Sequence, residues 1–145
     1  MTVNDSLAAA VRAEDAAIFT YGVLTAFTRY DVRSRVADDI AAHRVRRRDV
    51  AEALTAGGGQ VPTRAPGYRL PDKVSDLKSA GRAAVDAETE TQIAYRALVE
   101  QADTDQLRTM AVEALTESAV RAVYWRGIAG ISPAAIAVPG DPREK

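Results

Sequence analysis

Residues 57–71 read GGGQVPTRAPGYRLP, and this stretch decides how the rest of the chain can fold. It holds four glycines and three prolines among fifteen residues, so it cannot continue a helix. The segments on either side are rich in alanine and arginine, which favour helix, and contain few aromatic residues. The chain is therefore expected to be all-α, with two helical regions separated by one long connection.

Turn signals divide each helical region into a pair of helices. The four helices are predicted over about 7–28, 32–56, 72–102, with Asp72 as the cap, and 105 to 127 or 130. The turn between the two helices of each pair is short, so the two helices of a pair must run antiparallel. Fifteen extended residues span up to about 50 Å, whereas a helix of 25 residues is about 37 Å long. Residues 57–71 can therefore cross the full length of a four-helix bundle, which is the ferritin-like arrangement of two hairpins.

Composition limits the class of protein further. The 145 residues are expected to form one domain (1–145), with a core over about 6–130 and an apolar tail over 131–145. The absence of cysteine and the single histidine exclude disulfides, cysteine-ligated metals and sites that need two imidazoles from one chain. Nineteen basic and twenty acidic residues nearly cancel, so neither nucleic acid nor membrane is an expected partner. With no signal segment or membrane span, a cytoplasmic location is predicted.

Ionisable residues interrupt the apolar seams that a bundle buries at alternating steps of three and four residues. One such residue lies on each helix: Glu14, His43, Glu88 and Glu117. Each stands between 13 and 16 residues from the turn of its hairpin, so all four are expected near mid-height. Burying three carboxylates together is costly unless positive charge compensates them. A metal ion or neighbouring cations would supply that charge, and water is the third candidate for stabilising the acids.

Further residues on the same seams are candidate partners in a polar core. Arg47 and Arg121 each lie one turn beyond the ionisable residue of their helix and are the candidate cations, with Arg121 expected to pair with Glu117. Three tyrosines lie two turns from the acidic layer, either as partners of a site or as packing residues: Tyr21, Tyr95 and Tyr124. The basic run 44–48 is flanked by aspartates and a glutamate and is interpreted as a solvated face.

Two stretches, AVRAEDAAIFTYG (10–22) and HRVRRRD (43–49), resemble actinobacterial ferritin-like proteins of a domain-of-unknown-function family. The resemblance covers roughly residues 6–130 and implies a ferritin-like fold. Di-iron members of this fold use a Glu on each of two helices and a Glu-x-x-His on each of the other two.

The resemblance carries over only part of that ligand set. Glu14 and Glu88 match the two lone glutamates, His43 matches the first histidine, and Glu117 matches the second motif's glutamate. Ile40 and Val120 stand where a glutamate and a histidine would be, so two of six ligands are missing. Asp39 and Glu90 could substitute only if their helices rotated.

Two hypotheses follow. The leading one is a non-enzymatic binding or scaffolding bundle with a degenerate di-iron site, a salt-bridged polar core and no cofactor. The alternative is an iron-handling protein or metal-dependent oxidoreductase in which the same four residues hold a single Fe, Mn or Zn ion. No catalytic set can be argued, and the sequence identifies no small-molecule ligand. The apolar tail is expected to lie across the bundle or to bury itself in a second subunit, and a homodimer is predicted.

Overall fold

The computed structural model describes residues 1–144, which fold into four long helices without any strand. The helices are α1 (Val3–Leu24), α2 (Tyr30–Ala56), α3 (Leu77–Gln101) and α4 (Asp105–Ala129). The expected all-α class is confirmed. Over this range no helix has the length and apolar character needed to cross a membrane.

The crossover between α2 and α3 is longer than the sequence indicates. The prediction that Asp72 caps the third helix is wrong, because Asp76 is the capping residue. The Asp76 carboxylate accepts a hydrogen bond from the backbone N–H of Ser79 (2.7 Å), and the Ser79 hydroxyl lies 3.0 Å from the Asp76 backbone nitrogen. This reciprocal capping box fixes the start of α3. The connection therefore runs over residues 57–76 instead of 57–71.

Side-chain contacts fix the directions of the helices. The hydroxyl of Tyr21 reaches Glu88, and the hydroxyl of Tyr95 reaches Glu14, so α1 and α3 are antiparallel. The short connection at residues 25–29 makes α1 and α2 antiparallel as well. Consequently α2 and α3 run in the same direction, and the crossover spans the length of the bundle. The predicted topology of two antiparallel hairpins joined by one long crossover is confirmed.

The core consists of two apolar clusters, one toward each end of the bundle. One is built around Leu7 and Leu98, and the other around Leu24 and Trp125. A layer of buried polar side chains lies between them, near the middle of the helices. The apolar clusters therefore close off this polar layer from above and below.

The C-terminal tail lies across the outside of the bundle, which is one of the two predicted placements. Ile131 packs against an apolar cluster of the core. At Gly140 the chain passes so close to α3 that a Cβ atom would lie 2.5 Å from the carbonyl oxygen of Gln92 and 2.9 Å from the Cβ of Arg96. The last residue of the predicted tail, Lys145, lies outside the described residues.

Candidate functional site

His43 on α2 lies between two carboxylates that come from different helices. Its Nδ1 is 2.6 Å from Oε2 of Glu14 on α1, and its Nε2 is 2.9 Å from Oε1 of Glu88 on α3. All three side chains are fully buried. Three of the four residues predicted on the seams therefore meet at one point, with the imidazole ring bridging the two acids.

When Glu14 and Glu88 are ionised, both His43 ring nitrogens carry hydrogen, because an ionised carboxylate only accepts hydrogen bonds. Burial lowers the pKa of His43, but the hydrogen bonds to Glu14 and Glu88 and their negative charges outweigh it, and the pKa rises to about 9. Burial raises the pKa of Glu88, but the His43 hydrogen bond and the charges of His43 and Arg121 lower it to about 2. The bridge is therefore an imidazolium ring between two carboxylates.

Glu88 accepts hydrogen bonds from three further side chains. Its Oε1 accepts from the Tyr21 hydroxyl (2.6 Å) and from Nε of Arg121 (3.0 Å). Its Oε2 accepts from the Ser118 hydroxyl at 2.6 Å. Ser118 and Arg121 both lie on α4, so Glu88 joins the fourth helix to the other three.

The two buried tyrosines act as hydrogen-bond donors to the acids. Tyr95 donates to Oε1 of Glu14 at 2.7 Å, as Tyr21 does to Glu88. Burial and the neighbouring carboxylates raise the pKa of both phenols well above the usual value of about 10. Both hydroxyls therefore keep their protons and satisfy the acids.

The charges of this layer balance. Glu14 and Glu88 carry two negative charges, and the His43 ring and Arg121 carry two positive ones. A buried ion pair tolerates its desolvation only when its partners are close and hydrogen-bonded on all sides. Both conditions hold here, so the layer is neutral without any added ion.

Another buried acid, Asp39, lies one helical turn away from this layer. Asp39 accepts a hydrogen bond from the Trp125 indole at 2.8 Å and from Arg35 at 3.0 Å. Burial raises the pKa of Asp39, although these hydrogen bonds oppose the shift. The sequence analysis named Asp39 only as a residue that would need its helix to rotate, and it missed both the burial of Asp39 and its contact with Trp125. A usable signal was present, because Asp39 precedes His43 by four residues and therefore lies on the same face of α2.

The prediction that Glu117 lies on the buried seam is wrong. Its side chain is 46% exposed and pairs with Arg46 at the surface, where Arg46 Nε lies 2.9 Å from Oε2 of Glu117. The hydrogen bond from Arg46 lowers the pKa of Glu117. The seam of α4 is turned by about one residue from the predicted one, and it buries Ala111, Ala114, Ser118, Arg121 and Trp125.

Three predicted polar-core partners also lie elsewhere or pair differently. Arg121 is in the core but binds Glu88, so the expected pairing of Arg121 with Glu117 is wrong. Arg47 binds Asp15 at 3.0 Å and does not contact the acidic layer. Tyr124 packs beneath the Arg35 guanidinium, whose central carbon lies 4.3 Å from the centre of the ring.

The donor set does not fit a metal ion. Within residues 1–144 no group of three or more His, Asp or Glu side chains is arranged to hold one. Both nitrogens of His43 already face carboxylates, whereas a metal-bound histidine needs one nitrogen free for the ion. The guanidinium of Arg121 lies against Glu88 and would repel a cation. On α4 the inward positions three residues apart hold Ser118 and Arg121 in place of Glu-x-x-His.

Comparison with solved structures shows that this bundle has the ferritin-like fold. The chain is similar to a structure described as ferritin like, diiron-carboxylate proteins from Bacillus anthracis, with a TM-score of 0.78 and 18% identity over 88% of this chain and 94% of the other. It is also similar to a Dps variant from Listeria innocua, with a TM-score of 0.80 and 14% identity over 92% and 97% of the two chains. At these identities the likeness concerns the fold alone.

Residues 6–143 match the family described as Domain of unknown function (DUF4439), and the chain belongs to that family. A conserved hypothetical protein from Mycobacterium tuberculosis is 42% identical, with a TM-score of 0.84 over 87% of this chain and 96% of that one. None of the curated proteins matches the chain. The predicted membership of a ferritin-like family of unknown function is confirmed.

Stability is expected to fall as the pH rises from neutrality. The folded-state pKa of His43, about 9, lies above the unfolded value of about 6.5. The stabilisation by His43 is therefore fully present below pH 6.5 and is lost as the pH rises through 9. The free energy of unfolding, measured by urea titration, should drop by about 3 kcal/mol across this interval. Because the chain has one histidine, a His43→Gln variant should be less stable and lack this pH dependence. An unchanged slope in that variant would contradict the assignment.

Replacing Glu88 should lower the free energy of unfolding far more than replacing Glu117. Glu88→Gln leaves His43 and Arg121 with one carboxylate between them in a dry core, and should destabilise the protein by about 3–5 kcal/mol. Glu117→Gln removes a surface ion pair and should cost about 1 kcal/mol or less. Urea unfolding of both variants at neutral pH measures the contrast. Equal costs would contradict the placement of the two glutamates.

Proposed function

We propose that this protein is a cytoplasmic, non-enzymatic binding or scaffolding bundle whose polar core has replaced a di-iron centre. The observation that carries the proposal is the bridge of His43 between Glu14 and Glu88, with Arg121 bound to Glu88. Two fixed monovalent cations stand where the di-iron fold would need metal charge. The helices are thus held together without a cofactor.

The burial of the layer supports a non-enzymatic role. Glu14, His43 and Glu88 have no solvent-exposed surface, and apolar clusters lie on both sides of them. Their acidic and basic groups are already bonded to one another, so none is free to take a proton from a substrate. We therefore assign these residues to holding the bundle, and we assign binding to its outer surface.

The second candidate is an iron-handling protein or oxidoreductase that uses Fe or Mn. The convergence of Glu14, His43 and Glu88 from three helices favours it. It would require Arg121 to leave Glu88 and His43 to give up one of its two carboxylates. That cost makes the metal-free core the better-supported proposal.

Metal analysis separates the two candidates. The protein, purified without chelator and loaded with Fe²⁺ or Mn²⁺, should retain no stoichiometric metal by plasma mass spectrometry. A matched triple variant restores Glu-x-x-His on α2 and α4 and should bind metal. Its substitutions are Ile40→Glu, Ser118→Glu and Arg121→His. Stoichiometric metal in the unmodified protein, lost in Glu88→Ala, would overturn the proposal.

We propose further that the protein is a homodimer formed through the outer face of α4. That face exposes three valines at helical spacing, and Val120 is 63% exposed; the three are Val112, Val120 and Val123. Light scattering after size exclusion should give twice the chain mass, and Val120→Glu should shift it to the monomer. A monomer for the unmodified protein, or a dimer that persists in Val120→Glu, would contradict this interface.

A further inference from the structure

A groove runs beside the C-terminal half of α2 and is lined by guanidinium groups. Arg44, Arg47 and Arg48 come from α2, and Arg64 comes from the crossover. Apolar side chains, including those of Ile18 and Val61, lie among them, and Glu52 is the one acidic residue of the lining. The groove has a volume of about 750 Å³. This is the size of site that takes small molecules.

A buried acid positions two of these arginines. The side chain of Asp15 is 2% exposed, and its Oδ1 accepts hydrogen bonds from Nε of Arg47 (3.0 Å) and Nε of Arg64 (2.9 Å). A guanidinium has five N–H donors, so one carboxylate cannot satisfy two of them. Asp15 therefore fixes both groups and leaves them with donors for another acceptor.

Positive charge is in excess at this place. Arg44 forms no ion pair with any residue in the described part of the chain, and it lies three residues from Arg47 and four from Arg48. Like charges at these spacings share one helix face and repel each other. The carboxylates that contact the other three arginines are Asp15, Asp49 and Glu52. One positive charge is left uncompensated, and an incoming anion would neutralise it.

We propose that this groove binds an amphipathic anion, namely a phosphate or carboxylate head group on a hydrocarbon chain. The guanidiniums supply the paired N–H donors that fit such head groups, and Ile18 and Val61 supply the apolar contact. The proposed occupant is a free molecule in solution, and binding to a lipid surface alone would contradict it. The inference rests on the proposed function in that it treats the protein as a binding protein, and it gives that protein a ligand class. It also revises the interpretation of residues 44–48 as only a solvated face.

Calorimetric titration with octyl phosphate, kept below its micelle concentration, tests the proposal. We expect saturable binding with one ligand per chain and a raised melting temperature. Inorganic phosphate lacks the apolar part and octyltrimethylammonium has the wrong charge, so both should bind much more weakly. Arg44→Gln and Arg64→Gln should each weaken octyl phosphate binding by about tenfold. Arg29→Gln removes the same charge beyond the opposite end of α2 and should leave binding unchanged.

Three results would overturn the proposal. The first is that octyltrimethylammonium binds as tightly as octyl phosphate, and the second is that Arg44→Gln binds octyl phosphate as tightly as Arg29→Gln does. The third is that the protein binds vesicles of anionic phospholipid but does not bind monomeric octyl phosphate. Arg44 has no intramolecular ion pair to lose, so its variant is expected to fold normally. Metal analysis of the same samples keeps the two proposals apart. If octyl phosphate does not bind, the proposal of a metal-free core is unaffected. If the protein binds metal, that proposal is wrong, but the proposal of an anion-binding groove is unaffected.

Discussion

The structure depends on one contact, the His43 ring held between the carboxylates of Glu14 and Glu88. It joins α1, α2 and α3 at mid-height, and the arginine and serine that α4 contributes attach the fourth helix to Glu88. Because apolar clusters exclude water on both sides, each hydrogen bond in this layer is strong, and each group would be costly if it lost its partner. The four helices are thus tied at a single neutral point.

The same bundle geometry supports different chemistry according to how charge is balanced inside it. A di-iron member of the fold places four carboxylates around two dications. Here two carboxylates face two monovalent cations that belong to the chain itself. This protein has fewer negative and fewer positive charges in its core than a di-iron member has, and the two still balance. A shared fold with diiron-carboxylate proteins therefore describes the shape of this protein and leaves its chemistry to be argued from the site.

The sequence was sufficient for the four helices, for the existence of a long crossover, and for the two acids and one base that meet from α1 to α3, because large apolar residues mark the seams of those helices. It was insufficient on α4, where alanine occurs on several faces and periodicity cannot separate position 117 from position 118. Ser118 is small and polar, so nothing in the pattern singled it out. The Asp15–Arg64 pair involves the crossover, which has no helical period and gives no prediction of where its side chains lie.

The polar layer has a consequence for an alanine-rich bundle. Helices covered with small side chains can pack in several rotational settings at similar cost, so packing alone selects poorly among them. Turning α4 by one residue would bring Glu117 inward and carry the Ser118 hydroxyl away from Glu88. Three buried carboxylates would then face two cations, and the core would carry a net charge. Electrostatic balance therefore acts together with the buried Trp125 ring to select the rotational setting of α4.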